Sequence, residues 1–196
     1  MPPLQRGETE DDRKNLRLES HNGSVDADIL LIEGNGEGTT KGPGPLRTTL
    51  SLNSHNGSIV ARVVRRYNIH IKRQVLIFLQ SDMGHRRPVY ITAKADNCSI
   101  TLYVPRSFQG LMSLSSKNGS IVFSEQFSQR VTTFSDMSST RRCFVGDLGS
   151  WVEQDSEWSG DEVVVCSHNG KVRVLYIDEV IEKKEKKNFL SRVFKI

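Results

Sequence analysis

The stretch LESHNGSVDADI, Leu18 to Ile29, returns as LNSHNGSIVARV at Leu52 to Val63 and, shortened, as VCSHNGKVRVLY at Val165 to Tyr176. Aligned on the turn asparagine, the chain holds five copies, at Asn22, Asn56, Asn97, Asn118 and Asn169, separated by 34, 41, 21 and 51 residues. The 21-residue interval reads as the bare unit and the longer ones as units with insertions. Two positions before the asparagine stand Ser20, Ser54, Ala95, Ser116 and Ser167, all small; four before stand Leu18, Leu52, Ala93, Leu114 and Val165; six before stand Leu16, Leu50, Ile91, Met112 and Val163. Three positions after it come Val25, Ile59, Ile100, Ile121 and Val172, and five after come Ala27, Ala61, Leu102, Phe123 and Val174. Alternation of this kind is the period of a strand with one buried face, so each copy is strand, tight turn, strand.

The turns fall on Asn22-Gly23, Asn56-Gly57, Asn118-Gly119 and Asn169-Gly170, residue types that accept positive φ at low cost. In the third copy Cys98 follows Asn97, which predicts a different turn backbone or some strain there. Two architectures satisfy the columns. In an antiparallel meander or β-sandwich each copy is a hairpin, with His55 opposite Ser58 and Ser54 facing Ile59. In a β-solenoid the motif is a corner, and equivalent residues of successive coils stack about 4.8 Å apart. Independent hairpins have no reason to repeat the same small residue beside the same asparagine, which favours the solenoid. The fold class expected is therefore all-β, as solenoid-like repeats with a short C-terminal helix.

Outside the repeats, residues 1–14 read as a solvated, disordered tail, and 15–181 as a single β-repeat domain with an insertion at about 64–87. GDLGSWVEQDSEWSGDE is an acidic loop carrying Trp151 and Trp158, an aromatic platform for a protein or glycan partner if the rings are free, or a pin holding the loop to the core. Residues 182–196 form a basic amphipathic helix or tail with Phe189, Leu190, Val193 and Phe194 along one side. That side would either cap an open end of the stack or lie on an anionic membrane surface.

Charge excludes one function class. Six of the 27 basic and two of the 23 acidic side chains lie in 182–196, so the remainder balances at 21 of each and no nucleic-acid partner is expected. The N-terminus has no apolar core for a signal peptide, no apolar run reaches the roughly 18 residues of a membrane span, and Cys98, Cys143 and Cys166 form no disulfide framework. A cytoplasmic protein is expected.

Chemistry is harder to find than architecture. His21, His55 and His168 would come together in a stack, but the other copies place Asp96 and Lys117 there, so no metal site is expected. A nucleophilic serine needs its base across a fold, and strand neighbours such as Ser54 and His55 point to opposite faces. Cys166 and His168 share a face with no third member to orient them. Asp26 and Asp28 point outward together, as the acid and base of a polysaccharide-cleaving enzyme would, yet Arg62 follows in the same column and favours a surface ion pair. Asn22, Asn56, Asn97 and Asn118 lie in glycosylation sequons that read as by-products of the turns, and the same Asn-Gly bonds predict deamidation. No motif implies a cofactor.

The SHNGS units, KNGSI at Lys117 to Ile121, TRRCFVGD at Thr140 to Asp147 and the closing GDEVVVCSHNGKVRVLY resemble an uncharacterised fungal family of domains of unknown function. More distantly, the strand-Asn-Gly-strand repeats are similar to bacterial adhesin-like domains with β-solenoid folds. The resemblance covers roughly Leu16 to Asp178 and implies a β-repeat fold, no established activity and no catalytic residues to carry over. Residues and resemblance together lead to the expectation of a non-enzymatic scaffold or binding module, with adhesin-like or carbohydrate-interacting and peripheral-membrane roles as alternatives.

Overall fold

The two arms of each copy go to different sheets. The computed structural model describes residues 15–33, 47–67, 88–149, 158 and 160–179. Arms before the asparagine are β1 (Leu16–Ser20), β3 (Thr48–Ser54), β5 (Val89–Ala95), β7 (Gly110–Ser116) and β11 (Asp161–Ser167). Arms after it are β2 (Val25–Glu33), β4 (Ile59–Tyr67), β6 (Ile100–Val104), β8 (Ile121–Phe123) and β12 (Val172–Tyr176). A one-turn helix α1 (Glu125–Ser128) and a hairpin of β9 (Val131–Met137) and β10 (Thr140–Val145) complete the described elements. One sheet has the order β1-β3-β5-β11-β7-β10-β9, the other β2-β4-β6-β12-β8. All pairs between copies are parallel, and the hairpin adds antiparallel pairs through β7, β10 and β9. The Asn-Gly turn is thus a corner between sheets. The meander is overturned because two arms in different sheets share no ladder.

The order of the copies departs from simple winding. The fifth copy enters between the third and the fourth, so β11 and β12 are interior strands although they are the last strands among the described residues. The 21-residue interval therefore joins corners two levels apart and is not the bare unit of a sequential coil.

Registers reproduce the sequence columns without a slip. Leu18, Leu52, Ala93, Val165 and Leu114 form one interior row, and Val25, Ile59, Ile100, Val172 and Ile121 face them from the second sheet. Leu52, Ile59, Ile91, Leu102 and Val174 are completely excluded from solvent. In a parallel ladder a one-residue slip would turn a whole row outward, so burial of these rows fixes the register. Each such side chain contributes about 1.5–3 kcal/mol.

β4 stays paired with β2 as far as Tyr67 opposite Glu33, and residues 68–87 of the expected insertion lie outside the described residues, as do 1–14 and the C-terminal segment with Phe189, Leu190, Val193 and Phe194. TRRCFVGD is strand β10 and its exit. Gly146 there has φ +115, a conformation that side chains rarely adopt, and its N–H donates to the Arg130 carbonyl. The α1 turn was not foreseen: Ser124 caps it by accepting from the Phe127 N–H at 3.2 Å, and Phe127 drives its ring into the core between Phe123 and Tyr176.

The corner glycines serve a purpose other than the one expected. Among the described residues Ser138 and Gly146 alone have positive φ, so neither the Asn-Gly pairs nor Asn97-Cys98 uses it. A Cβ on Gly57 would instead lie 2.1 Å from the Gly23 carbonyl oxygen, and one on Gly170 would lie 2.1 Å from that of Cys98. On Gly23, at the first corner, it would meet only the Ser20 hydroxyl at 3.0 Å. Gly57→Ala and Gly170→Ala should each lower stability by about 1–3 kcal/mol, while Gly23→Ala costs distinctly less; urea-unfolding midpoints of the three variants check the ranking.

Candidate functional site

The repeated side chains meet at the corners and bond chiefly to one another. Asn56 donates from Nδ2 to Asn22 Oδ1 at 2.9 Å, Asn97 to Asn56 at 2.9 Å, Asn169 to Asn97 at 2.8 Å and Asn118 to Asn169 at 2.7 Å. This is a continuous amide ladder through all five corners. Beneath it, Ser20, Ser54 and Ser167 accept from the N–H of Gly23, Gly57 and Gly170 at 2.8, 3.0 and 2.9 Å. The hydroxyls of Ser54, Ser167 and Ser116 donate onward to the carbonyls of Gly23, Cys98 and Gly170 at 3.2, 3.0 and 2.7 Å. At the third corner Ala95 and Cys98 stand in place of the serine and the glycine, so this copy has no serine clamp of its own, while the Cys98 carbonyl still accepts from the Ser167 hydroxyl.

This geometry engages several of the side chains singled out in the sequence. A glycan on Asn56 or Asn97 would have to be attached at the amide nitrogen that carries the ladder bond. His21 and His55 stack with centroids 4.9 Å apart and planes 5° from parallel, so their ring nitrogens do not converge on one point. His55 Nδ1 is bonded to Asp96, and among the described residues no group of three His, Cys, Asp or Glu side chains is placed to hold a metal ion. The outward carboxylates share one cation. Arg62 Nη1 reaches Asp26 at 2.5 Å and Asp28 at 3.1 Å, its guanidinium lies 5.8 Å from the centre of the Tyr103 ring, and the bond to Asp26 leads in holding the guanidinium pKa above its ordinary value. Both carboxylates sit on the same outer face and share that one guanidinium as a surface ion pair.

Of the two tryptophans, Trp151 lies outside the described residues. Trp158 is a pin: its ring meets Phe144 edge-on at 5.2 Å, its Nε1 donates to the Asp161 carbonyl at 2.9 Å, and it covers Gly160 so closely that a Cβ there would lie 2.1 Å from the ring. Arg47 fixes the same segment, donating to the carbonyls of Trp158 and Gly160 at 2.8 and 3.1 Å and pairing with Glu162 at 3.1 Å. Asp161, which the sequence places in an acidic surface loop, is fully buried, and its Oδ1 accepts from the Val89 N–H at 3.0 Å at the start of the adjacent strand. Periodicity did not mark this position.

At the opposite end from the corners, Arg106 pairs with Asp178 at 2.6 Å and lies 4.7 Å from the centre of the Tyr176 ring. Buried Glu179 accepts from the Ser124 hydroxyl at 2.6 Å and the Tyr176 N–H at 3.0 Å, tying the exit of the last strand to α1. These contacts hold the described chain together at its end. No helix among the described residues is long and apolar enough to cross a membrane.

A two-sheet stack of strand-corner-strand units, tied by internal side-chain ladders, defines a class of all-β repeat architecture. The chain belongs to the domain-of-unknown-function family DUF7330, whose model matches residues 1–179. No curated protein matches it. Among solved structures it is similar to one described as "a putative cell adhesion protein from Clostridium sporogenes ATCC 15579", at TM-score 0.36 and 8% identity over 83% of this chain and 93% of that one.

The cysteines give a direct test of the packing. Burial pushes the Cys143 thiol from an ordinary value of 9.0 up to about 11, whereas Cys166 is exposed. A thiol reagent at neutral pH should label Cys166 and spare Cys143 until the protein unfolds. Because the unfolded thiol ionises first, the contribution of Cys143 to stability is complete below pH 9.0 and disappears as pH rises through about 11. Unfolding midpoints across that range should fall more for the wild type than for Cys143→Val.

Proposed function

We propose that this chain is a non-enzymatic binding module, a β-solenoid-like scaffold that presents a partner with the outward face of its five-stranded sheet. One observation carries the reading: the recurring serine, asparagine and glycine of the corners are engaged in holding copies together, and the outward carboxylates Asp26 and Asp28 are tied to Arg62. The face that remains carries Asp26, Asp28, Arg62 and Tyr103, a cation and an aromatic ring flanked by carboxylates, suited to a polar protein surface or a glycan. The C-terminal segment, with Phe189, Leu190, Val193 and Phe194, would add attraction to an anionic membrane.

The test is capture from the source cells on immobilised full-length chain and on a version ending at Ile181, together with assays of polysaccharide hydrolysis. A protein or glycan retained by both versions, and released by Tyr103→Ala without loss of stability, is the expected result. Hydrolysis abolished by Asp26→Asn or Asp28→Asn would overturn the non-enzymatic reading, and retention of anionic lipid by the full-length chain alone would move the function to the tail.

A further inference from the structure

Five asparagines precede glycine in this chain, the pairing most prone to spontaneous deamidation; Asn35 lies outside the described residues, and the other four, Asn22, Asn56, Asn118 and Asn169, are exposed at the corners. In that reaction a base removes the glycine amide proton, and the nitrogen attacks the asparagine Cγ. The new N–Cγ bond closes a succinimide as the Cγ–Nδ2 bond breaks and ammonia leaves. Water then opens the ring at either carbonyl, giving aspartate or isoaspartate. Two freedoms are needed: the glycine N–H must be free to lose its proton, and the carboxamide must be free to rotate toward it.

The corners restrict both, to different degrees. At Asn56 and Asn169 the carboxamide is held from both sides of the ladder, and the glycine N–H is bonded to Ser54 or Ser167. At Asn22 the glycine N–H is bonded to Ser20, but the carboxamide is held only by Asn56. At Asn118 the carboxamide is held only by Asn169, and the Ser116 hydroxyl points to Gly170, so among the described residues the Gly119 N–H has no such bond. We infer that the amide ladder and its serine clamps are a kinetic shield against deamidation, and that Asn118 is the site where the shield is open. A carboxylate formed there cannot donate to Asn169 Oδ1, so damage at the end of the ladder loosens the next asparagine inward.

The experiment is peptide mapping by mass spectrometry of full-length protein aged at pH 7.4 and 37 °C, with and without urea, for wild type and Ser54→Ala. In urea the four sites should convert at similar rates. In the folded protein Asn118 should convert first and Asn22 next, with Asn56 and Asn169 at least about tenfold slower than in urea. Ser54→Ala should accelerate Asn56 while Asn169, in the same molecule, keeps its rate. Equal rates at the four folded sites would overturn the inference. So would no change at Asn56 in Ser54→Ala, or equal acceleration of Asn56 and Asn169, which would make protection a matter of global stability alone.

Discussion

Parallel strands in a sheet stand about 4.8 Å apart, and in this protein the same spacing is imposed on the turns that join the two sheets. Corner backbone packs on corner backbone so closely that the room for a β-carbon is filled by the neighbouring carbonyl: Gly57 sits on Gly23, Gly170 on Cys98 and Gly119 on Gly170. A serine three residues earlier takes the N–H of the glycine and gives its own proton to the carbonyl beyond it, so one hydroxyl closes its own turn and ties it to the next. The asparagine ladder runs parallel to these bonds on the outside. Once that contact is made, strand register, interior rows and the facing of the two sheets follow from it.

The placement of the last copy gives this constraint a topological consequence. β11 has β5 on one side and β7 on the other, and β12 lies between β6 and β8. In sequence, therefore, the fourth corner and the β9–β10 hairpin precede the strands that fill the middle of both sheets. Asp161 marks the entry point: buried at the start of β11, it binds the Val89 N–H, while the Trp158 ring closes over its backbone. A polar side chain at such depth is stabilising only with its partners in place. It rewards one register of insertion and penalises its neighbours.

How much of this was written in the sequence depends on whether a feature repeats. The rows Leu18–Leu52–Ala93 and Val25–Ile59–Ile100 were legible because burial every second residue leaves the same trace in every copy. The corner position of Asn-Gly was legible, but its physical reason was not: positive φ and close backbone approach both select glycine, and only coordinates separate them. Cys98 after Asn97 predicts a different turn backbone or some strain, yet the third corner has no positive φ either. Asp161, Glu179 and the α1 turn occur once each, and besides local contacts each depends on a partner tens of residues away, Val89, Ser124 and Tyr176 in turn, so the repeat pattern did not announce them. The position of the fifth copy between the third and fourth was equally hidden, because equivalent copies fit equally well at any level.

The outward columns of the five-stranded sheet behave differently from the inward ones, and the difference bears on function. Asp26, Val60, Thr101, Arg173 and Val122 form one column and Asp28, Arg62, Tyr103 and Leu175 another, with no residue type recurring along the second. Stacking requires only that such neighbours tolerate each other at strand spacing, and the ion pair of Arg62 with Asp28 meets that requirement locally. Repetition ends where the corner contact no longer dictates the residue. A surface free of that dictate, rigidly supported by rows that are not, is where this architecture can carry specificity without disturbing the contact that holds it together.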